Sequence, residues 1–507
     1  MQGVWEPGLA AYRGVPYGQA PVGKKRWQPA LPAPCWPSGT ILQARTDGPM
    51  CLQRGSNASY QSEDCLNLNV FVPSGSHYKP AYPVFVWIYG GSNVGGSVES
   101  YGHIENIVRK KGCVLVTMNY RVGMFGFLAL RELSEVDPRG VSGNAGITDL
   151  QLALKWVKDN IEEFKGDLNK VTIIGQSSGG TNVLALLASP GSQGLFHRAI
   201  ALSGSANISM DRATKEEQDR RLILPRTPCK GFGGDALLDC LYKANASVLN
   251  SALPESYALF DSLFDYPTDF LGLGSRVSAL VFVDGKTISA PLLDAYARGL
   301  VDVPLLMQSM QGELASAPSK DLANLSDKGL AKFFHSKFDL AYGTVRAHEI
   351  YLLYRGYKPP EYAAYAVDSD TGMACGLRAL AAAAKQGYKS PVYWSTVTVG
   401  PTAPVDGSRF PFHGWDFQAA SETWGDYWPS RQDVELGNRL YEDWFQFATY
   451  GEIDKERGYR PVQNSSLGAV GGSVVGKSRT TWQPDHKAEI CGFWHAIGVD
   501  QRWWWIN

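Results

Sequence analysis

The chain has 507 residues, of which 48 are basic and 49 acidic, and its formal net charge is −1. This balance, without any prominent basic tract, excludes the electrostatic pattern of a nucleic-acid binder. No apolar run approaches the ~18 residues of a transmembrane helix, and the chain does not begin with a charged segment followed by an apolar run, so neither an integral membrane segment nor a signal peptide is predicted.

Short β-branched and aromatic runs alternate with helical patterns, which predicts βαβ units and an α/β fold with a mostly parallel sheet. We expect one domain over residues 1–507, because large α/β enzymes often add long excursions to a single sheet. Each run is nearly continuously apolar, as in strands that helices cover on both faces. The strands are predicted at Val84–Tyr89, Cys113–Tyr120, Val171–Gly175, Ala199–Leu202, Val303–Gln308 and Pro391–Val399.

One amphipathic helix and two longer segments are predicted between these strands. From Asp149 to Phe164, apolar residues recur at roughly helical spacing, which predicts an amphipathic helix leading into the next strand. Residues 205–300 have a less regular pattern, and residues 315–385 have a more helical one. Residues 205–300 and 315–385 are predicted to be excursions over the carboxyl edge of the sheet, where the ligand sites of such sheets lie.

The strongest chemical signal is the sequence Gly175-Gln176-Ser177-Ser178-Gly179, between an apolar strand and a Leu-rich helical segment. A serine in Gly-x-Ser-x-Gly stands on a tight, strained turn from strand to helix, which needs glycines on both sides. The helix that follows offers free N–H groups and a favourable dipole to a developing anion. The flanking strand and helix disfavour a chance Gly/Ser turn, so we predict an α/β-hydrolase with Ser177 as nucleophile and the Ser178 N–H as an oxyanion donor.

A second glycine-rich turn follows the first predicted strand. It reads Gly90-Gly91-Ser92-Asn93 and continues with a further glycine pair. Glycines at a strand end are usually plain turns. In α/β-hydrolases, however, the loop after the third strand of the fold supplies oxyanion donors, and we equate Val84–Tyr89 with that strand. The backbone N–H groups of Gly91 and Ser92 are therefore predicted to face the oxyanion.

Further motifs, in the same order along the chain, resemble those of the type-B carboxylesterase and cholinesterase family over nearly the whole length. The resemblance implies an α/β-hydrolase that cleaves a small-molecule carboxylic ester through an acyl-enzyme, without metal or cofactor. The motifs are Tyr12-Arg-Gly-Val-Pro-Tyr17, Pro21-Val-Gly-Lys-Lys-Arg-Trp27, Glu63-Asp-Cys65-Leu-Asn-Leu-Asn-Val70, Asn119-Tyr-Arg-Val-Gly-Met-Phe-Gly-Phe127, Gly143-Asn-Ala-Gly-Ile-Thr-Asp149 and Cys491-Gly-Phe-Trp494.

The resemblance also implies the other two triad residues. The family's acid lies in a Gly-x-Asn-x-Asp-Glu-Gly pattern after a strand, and Gly312-Glu313-Leu314 matches it only at Glu313. A surface glutamate is the alternative interpretation of this position. The family's histidine precedes a glycine, as His413 does here, and the order Ser, Glu, His is the one expected of the fold. In these roles His413 is the base that takes the Ser177 proton, and Glu313 orients its imidazole.

Cysteines and glycosylation sequons favour an extracellular setting. Spacing alone assigns no cysteine pairs. The resemblance implies the disulfides Cys51–Cys65, Cys229–Cys240 and Cys375–Cys491, with Cys35 and Cys113 free. The Asn-x-Ser/Thr sequons begin at Asn57, Asn207, Asn245, Asn324 and Asn464.

Several residues beside the predicted chemistry depart from the family pattern. Ser92 and Asn93 stand where Gly-Phe is usual, Gln176 replaces a glutamate, and Ser178 replaces a common alanine. These departures leave the range of esters open.

Three other functions compete with a carboxylesterase. A cholinesterase is rejected, because residues 52–64 lack the tryptophan that holds the choline cation by a cation–π contact. A lipase or sterol esterase stays an alternative, which a long amphipathic lid would favour. A non-catalytic relative acting as a binding domain is disfavoured by the retention of all three triad candidates.

Overall fold

The computed structural model describes residues 1–55, 60–74, 81–257, 279–316, 322, 325–405, 407–466 and 468–499. In these ranges a large, mostly parallel sheet is flanked by helices, which confirms the predicted α/β fold. All six predicted strands are present, within a few residues of their predicted ends. The strands of the described residues are β1 (Val4–Glu6), β2 (Leu9–Pro16), β3 (Met50–Cys51), β4 (Gln61–Ser62), β5 (Asn67–Pro73), β6 (Tyr82–Ile88), β7 (Val114–Met118), β8 (Gly166–Gln176), β9 (Arg198–Leu202), β10 (Leu305–Met310), β11 (Val392–Val397), β12 (Gly472–Val475) and β13 (Thr480–Gln483).

The order of strands brings the predicted site loops to one edge. Among the described strands, eleven form the main sheet in the order β1-β2-β5-β7-β6-β8-β9-β10-β11-β12-β13, and β7 through β12 pair in parallel. In the register of β6 and β8, Ile88 lies opposite Gly175. The glycine-rich turn after β6 and the serine turn after β8 therefore leave the sheet side by side.

The sheet is antiparallel at both ends, which the strand prediction omitted. Strands β1, β2 and β5 pair antiparallel and extend the sheet beyond β7, and β13 pairs antiparallel with β12. In β2 the register shifts between Tyr12 and Val15, around Gly14. That interruption removes the continuous apolar run by which the central strands were recognised.

The predicted amphipathic helix is confirmed, although it begins at Ala145 and its last turn is a 3-10 turn over Ile161–Phe164. Residues 327–387 are mostly helical, in agreement with their sequence pattern, whereas residues 258–278 of the first excursion lie outside the described residues. The helices of the described residues are α1 (Asn106–Lys111), α2 (Gly123–Phe127), α3 (Arg131–Val136), α4 (Ala145–Asn160), α5 (Ser178–Leu187), α6 (Arg212–Leu222), α7 (Gly234–Lys243), α8 (Ala246–Asn250), α9 (Leu292–Ala297), α10 (Asp327–Tyr342), α11 (Thr344–Tyr354), α12 (Pro360–Ser369), α13 (Cys375–Gly387), α14 (Trp415–Ser421), α15 (Arg431–Tyr450) and α16 (Ala488–Ala496).

The three disulfides implied by the resemblance are present, joining Cys51 to Cys65, Cys229 to Cys240 and Cys375 to Cys491. Cys35 and Cys113 are free thiols. Cys35 is exposed, whereas Cys113 is buried immediately before β7. Burial raises the pKa of the Cys113 thiol to about 12, so it stays protonated at neutral pH. Within the described ranges, every helix is too short or too polar to span a bilayer.

Candidate active site

The serine turn has the strained backbone that its sequence predicts. Ser177, between β8 and α5, has φ 62° and ψ −133°, and its N–H donates to the carbonyl of Leu202 at 2.9 Å. A side chain at Gly179 would place its Cβ 2.1 Å from the Ile88 carbonyl oxygen, so only glycine fits there. The close packing of α5 against β6 therefore holds Ser177 in a backbone conformation that L-residues rarely adopt.

The predicted acid and histidine meet at the ends of two neighbouring strands. Glu313 follows β10, and His413 follows β11 by a longer loop. Glu313 Oε2 lies 2.6 Å from His413 Nδ1, and its other oxygen accepts the Met310 N–H at 2.8 Å. The Glu313 N–H donates to the Ser369 hydroxyl at 2.7 Å, and the carboxylate is fully buried. Two donors on its two oxygens fix this carboxylate in place.

The opposite ring nitrogen of His413 faces the serine turn. Its Nε2 lies 3.1 Å from the Gln176 side-chain nitrogen, next in the chain to Ser177. Tyr101 donates its hydroxyl proton to Gln176 Oε1 at 2.6 Å and accepts the Gly90 N–H at 3.1 Å. The glycine-rich turn, the serine turn and the histidine are thus joined by one chain of hydrogen bonds.

The glycine-rich turn is locked onto helix α5. Ser92 and Asn93 both have positive φ, 53° and 55°, as in a type I′ turn. The Asn93 N–H donates to the Ser178 hydroxyl at 3.0 Å, and the Asn93 and Asn182 side chains exchange two hydrogen bonds. A Cβ at Gly90 would lie 2.5 Å from the Ser177 Cβ, so the turn passes directly beside the predicted nucleophile.

A further buried carboxyl lies behind the histidine. Asp416 accepts hydrogen bonds from Gln308 Nε2 at 2.6 Å and from the Phe417 N–H at 2.8 Å. Burial raises the pKa of Asp416 to about 6; the Gln308 hydrogen bond opposes this shift, and the nearby Glu313 charge adds to it. Over the pH range below about 6, Asp416 is therefore still protonated in the folded protein where it is already ionised in the unfolded chain.

This shift predicts a pH-dependent effect of the Asp416→Asn substitution on stability. Between about pH 4 and 6 the folded protein binds one proton more than the unfolded chain, so its free energy of unfolding falls as pH rises. A difference of about two pKa units corresponds to about 3 kcal/mol. The variant has no carboxyl at this position and does not lose that stability. Its free energy of unfolding, measured with urea and compared with that of wild type, should therefore be more favourable at pH 8 than at pH 4 by about 3 kcal/mol. The exposed Asp426→Asn variant is the control, and a pH-independent difference for Asp416→Asn would contradict the prediction.

An open cavity of about 680 Å³ adjoins the imidazole and the Gln176 amide. Both aromatic rings and polar side chains line it. The space is sufficient for part of a small organic molecule beside His413. It is lined by Ser100, Tyr101, Gly102, His103, Asn106, Gln176, Phe412, His413, Gly414, Phe417, Gln418, Glu422, Thr423, Trp424 and Gly425.

Comparison with known proteins decides the family. The Carboxylesterase family model matches residues 2–470 of the chain. The chain belongs to this family. Among solved structures, a PNB esterase superposes with a TM-score of 0.76 and 26% identity and covers 97% of both chains. The fold is therefore that of an α/β-hydrolase of the carboxylesterase family, as the resemblance implied.

Curated relatives align over parts of their length. A fumonisin B1 esterase of Sphingopyxis macrogoltabida is 42% identical over 208 residues, which are 40% of this chain and 38% of the relative. A para-nitrobenzyl esterase of Bacillus subtilis (strain 168) is 38% identical over 225 residues, 43% of this chain and 44% of that one. Neurotactin of Drosophila melanogaster is 33% identical over 313 residues, 61% of this chain and 36% of the relative. The chain thus matches less than half the length of each of these relatives.

Sequence reasoning found the three triad candidates of this carboxylesterase-family chain, but missed the groups that hold them. Tyr101, Asn182 and Asp416 belong to none of the motifs. Asn93 and Gln176 were noted as departures from the family pattern, without the contacts that they make. Those departures were the available signals, since a changed residue next to the proposed chemistry indicates a changed contact.

Proposed function

We propose that this protein hydrolyses small-molecule carboxylic esters through an acyl-enzyme on Ser177. The observation that carries the proposal is the 2.6 Å pair of Glu313 and His413, whose second nitrogen faces the strained serine turn. A buried carboxylate on Nδ1 keeps the ring proton there and the lone pair on Nε2, which is the arrangement of a general base beside a nucleophile. The family membership and the esterases among the relatives support the same reaction.

The reaction has two halves. In the first, His413 takes the Ser177 proton as the oxygen attacks the ester carbonyl, and the tetrahedral intermediate collapses when His413 protonates the leaving alcohol. In the second, His413 takes a proton from water, whose oxygen attacks the acyl-enzyme, and it then returns that proton to Ser177 as the acid leaves. Glu313 holds the ring in its base tautomer and stabilises its charged form.

The oxyanion of both intermediates is assigned to the backbone N–H groups of Gly91, Ser92 and Ser178. The Asn93 N–H is already engaged by the Ser178 hydroxyl, which ties the glycine-rich turn to the start of α5. The N–H of Ser178 is at the first position of that helix, where no carbonyl of the same helix accepts it. Losing one such donor typically costs ~100- to 1000-fold in rate.

An extracellular or secretory location belongs to the proposal. Its support is the three disulfides, which persist in oxidising compartments. Of the sequons, Asn245 and Asn464 are exposed, and Asn57 and Asn324 lie outside the described residues. Glycosylation stays a prediction, and mass mapping of glycopeptides tests it.

Covalent labelling and an ester panel test the proposed reaction together. A fluorophosphonate should label one residue, Ser177, and labelling should abolish hydrolysis of p-nitrophenyl esters. A panel of acyl lengths from acetyl to dodecanoyl separates a carboxylesterase from a lipase, whose activity rises at a lipid interface. Absence of labelling, with no hydrolysis of any ester, would support a non-catalytic domain instead.

Ser92 is predicted to limit the size of the acyl group. Its positive φ is unusual for a non-glycine residue, and a serine here adds a Cβ and a hydroxyl next to the proposed oxyanion. We expect Ser92→Gly to raise kcat/KM for bulky branched or aromatic esters about tenfold, equivalent to about 1.4 kcal/mol, and to leave acetyl esters nearly unchanged. The exposed Ser38→Gly variant is the control. A uniform fall for all acyl groups would show instead that the hydroxyl stabilises the transition state.

A further inference from the structure

The side-chain amide of Gln176 has a fixed orientation in the site. A backbone N–H can only donate, so the Tyr101 oxygen accepts from Gly90 and sends its own proton to Gln176. Burial raises the pKa of Tyr101, so the phenol keeps that proton over the whole working range of pH. The end of the amide next to Tyr101 is therefore the oxygen, and the end next to His413 is the NH₂ group.

This orientation determines the protonation of the imidazole. The amide NH₂ has no acceptor to offer, so at 3.1 Å it donates to His413 Nε2, which must carry a lone pair. The ring proton is then on Nδ1, where it meets Glu313 Oε2 at 2.6 Å. Hydrogen bonds of consistent direction thus run from the Gly90 backbone to Tyr101, Gln176 and His413.

We propose that Gln176 is a positioning residue that holds His413 in its base tautomer and disfavours the protonated imidazole in the free enzyme. This inference rests on the proposed function, in which the Nε2 lone pair takes the Ser177 proton. A protonated ring would direct its Nε2–H at the amide NH₂, so two donors would face each other. The glutamate of the family pattern would do the reverse, since a carboxylate accepts that proton and stabilises the cation. The expected consequence is activity that persists to lower pH than it would with glutamate at position 176.

Other ionisable groups near the ring also affect the pH dependence of activity. The titration of Asp416, near pH 6, falls inside the range of interest, so its contribution must be separated from that of position 176. The Asp416→Asn background provides that separation. Among the described residues, the ionisable groups that face the ring or the cavity beside it include Glu313, Asp416, Tyr101, His103 and Glu422.

The test compares pH profiles of kcat/KM for p-nitrophenyl acetate, in wild type and in Asp416→Asn, with three residues at position 176. In Gln176→Glu the midpoint of the acid limb should rise by about one unit or more, because an opposite charge on Nε2 favours the protonated ring. In Gln176→Met, whose thioether cannot donate and accepts only weakly, the midpoint should rise by less. Gln193→Glu, at an exposed position, adds the same charge elsewhere and should leave the midpoint unchanged. The midpoint of the acid limb should increase in the order glutamine, methionine, glutamate at position 176. Equal midpoints in the three proteins would overturn the proposal.

Failure of this inference is distinguishable from failure of the proposed function. Fluorophosphonate labelling of Ser177 in wild type tests the function first, and no labelling there refutes the function itself. With Ser177 labelled, an unchanged midpoint refutes only the role of Gln176. If Gln176→Glu does not fold, the Met variant and Tyr101→Phe carry the test, since the latter removes the donor that orients the amide and should also raise the midpoint.

Nitrogen-15 NMR of histidine-labelled protein gives a second readout, with the His413 signal assigned by its absence in His413→Ala. A shift of the His413 tautomer in Gln176→Met supports the proposal, and an unchanged tautomer opposes it.

Discussion

Replacing Ser177 with alanine is expected to lower kcat for p-nitrophenyl acetate by roughly five orders of magnitude or more, with KM changed much less. Removing a nucleophilic serine costs about 10⁶ in kcat where it acts with a histidine as a unit, because the remaining base has nothing to activate. The substitution itself is structurally small. Ser177 is buried, its N–H keeps its bond to Leu202, and its Cβ is retained beside Gly90.

Ser178→Ala is the matched control for this prediction. Its hydroxyl accepts the Asn93 N–H, so its loss loosens the glycine-rich turn without removing the backbone N–H assigned to the oxyanion. We expect a fall of about tenfold, the cost of one hydrogen bond of roughly 1.4 kcal/mol. If Ser178→Ala lost as much activity as Ser177→Ala, or if Ser177→Ala kept more than a few per cent, the nucleophile would be wrongly assigned.

The centre of the fold could be predicted from sequence because its strands are buried on both faces. Strands β6 and β7 consist only of buried residues, which gives each a continuous apolar run bounded by polar or glycine residues. The antiparallel edge could not be found in this way. Strand β2 is half-buried along part of its length and is interrupted at Gly14, so its pattern resembles that of a loop.

In the site, local motifs indicated which residues carry chemistry, but not which side chains would surround them. The serine turn is a local structure, specified by glycines within four residues on either side. The series of hydrogen bonds from Gly90 through Tyr101 to Gln176 and His413 links residues up to 237 positions apart in a single bond. The direction of these bonds depends on which end of the Gln176 amide faces Tyr101. No spacing in the sequence encodes that, since it arises only when the two turns leave the sheet side by side.

Replacing Glu313 with glutamine is expected to lower kcat by about 10³- to 10⁴-fold with little change in KM or in melting temperature. Both oxygens of Glu313 accept protons, one from the Met310 backbone and one from His413 Nδ1. The Met310 N–H cannot change its direction, so the amide of glutamine must turn its oxygen there and its NH₂ toward the ring. Nδ1 then faces a donor instead of an acceptor, which drives the ring proton to Nε2 against the Gln176 NH₂ group. A proton on Nε2 blocks uptake of the Ser177 proton. The same acid-to-amide change in serine proteases costs about 10⁴ in kcat by this route.

Two further variants separate this tautomer effect from simple loss of charge. Glu313→Asp keeps the charge but shortens the side chain, so the proton stays on Nδ1 across a longer gap, and we expect a smaller fall of about 10- to 100-fold. The exposed Glu435→Gln removes a charge on α15 and should leave kcat unchanged. A wrong tautomer is not corrected by pH, so raising the pH should not restore the activity of Glu313→Gln. A mere loss of charge stabilisation on the imidazolium would instead move the acid limb of the pH profile to lower pH. A Glu313→Gln variant whose acid limb moves in this way and whose plateau falls less than tenfold would show that the carboxylate acts only through its charge and that the direction of the Met310 N–H does not set the tautomer.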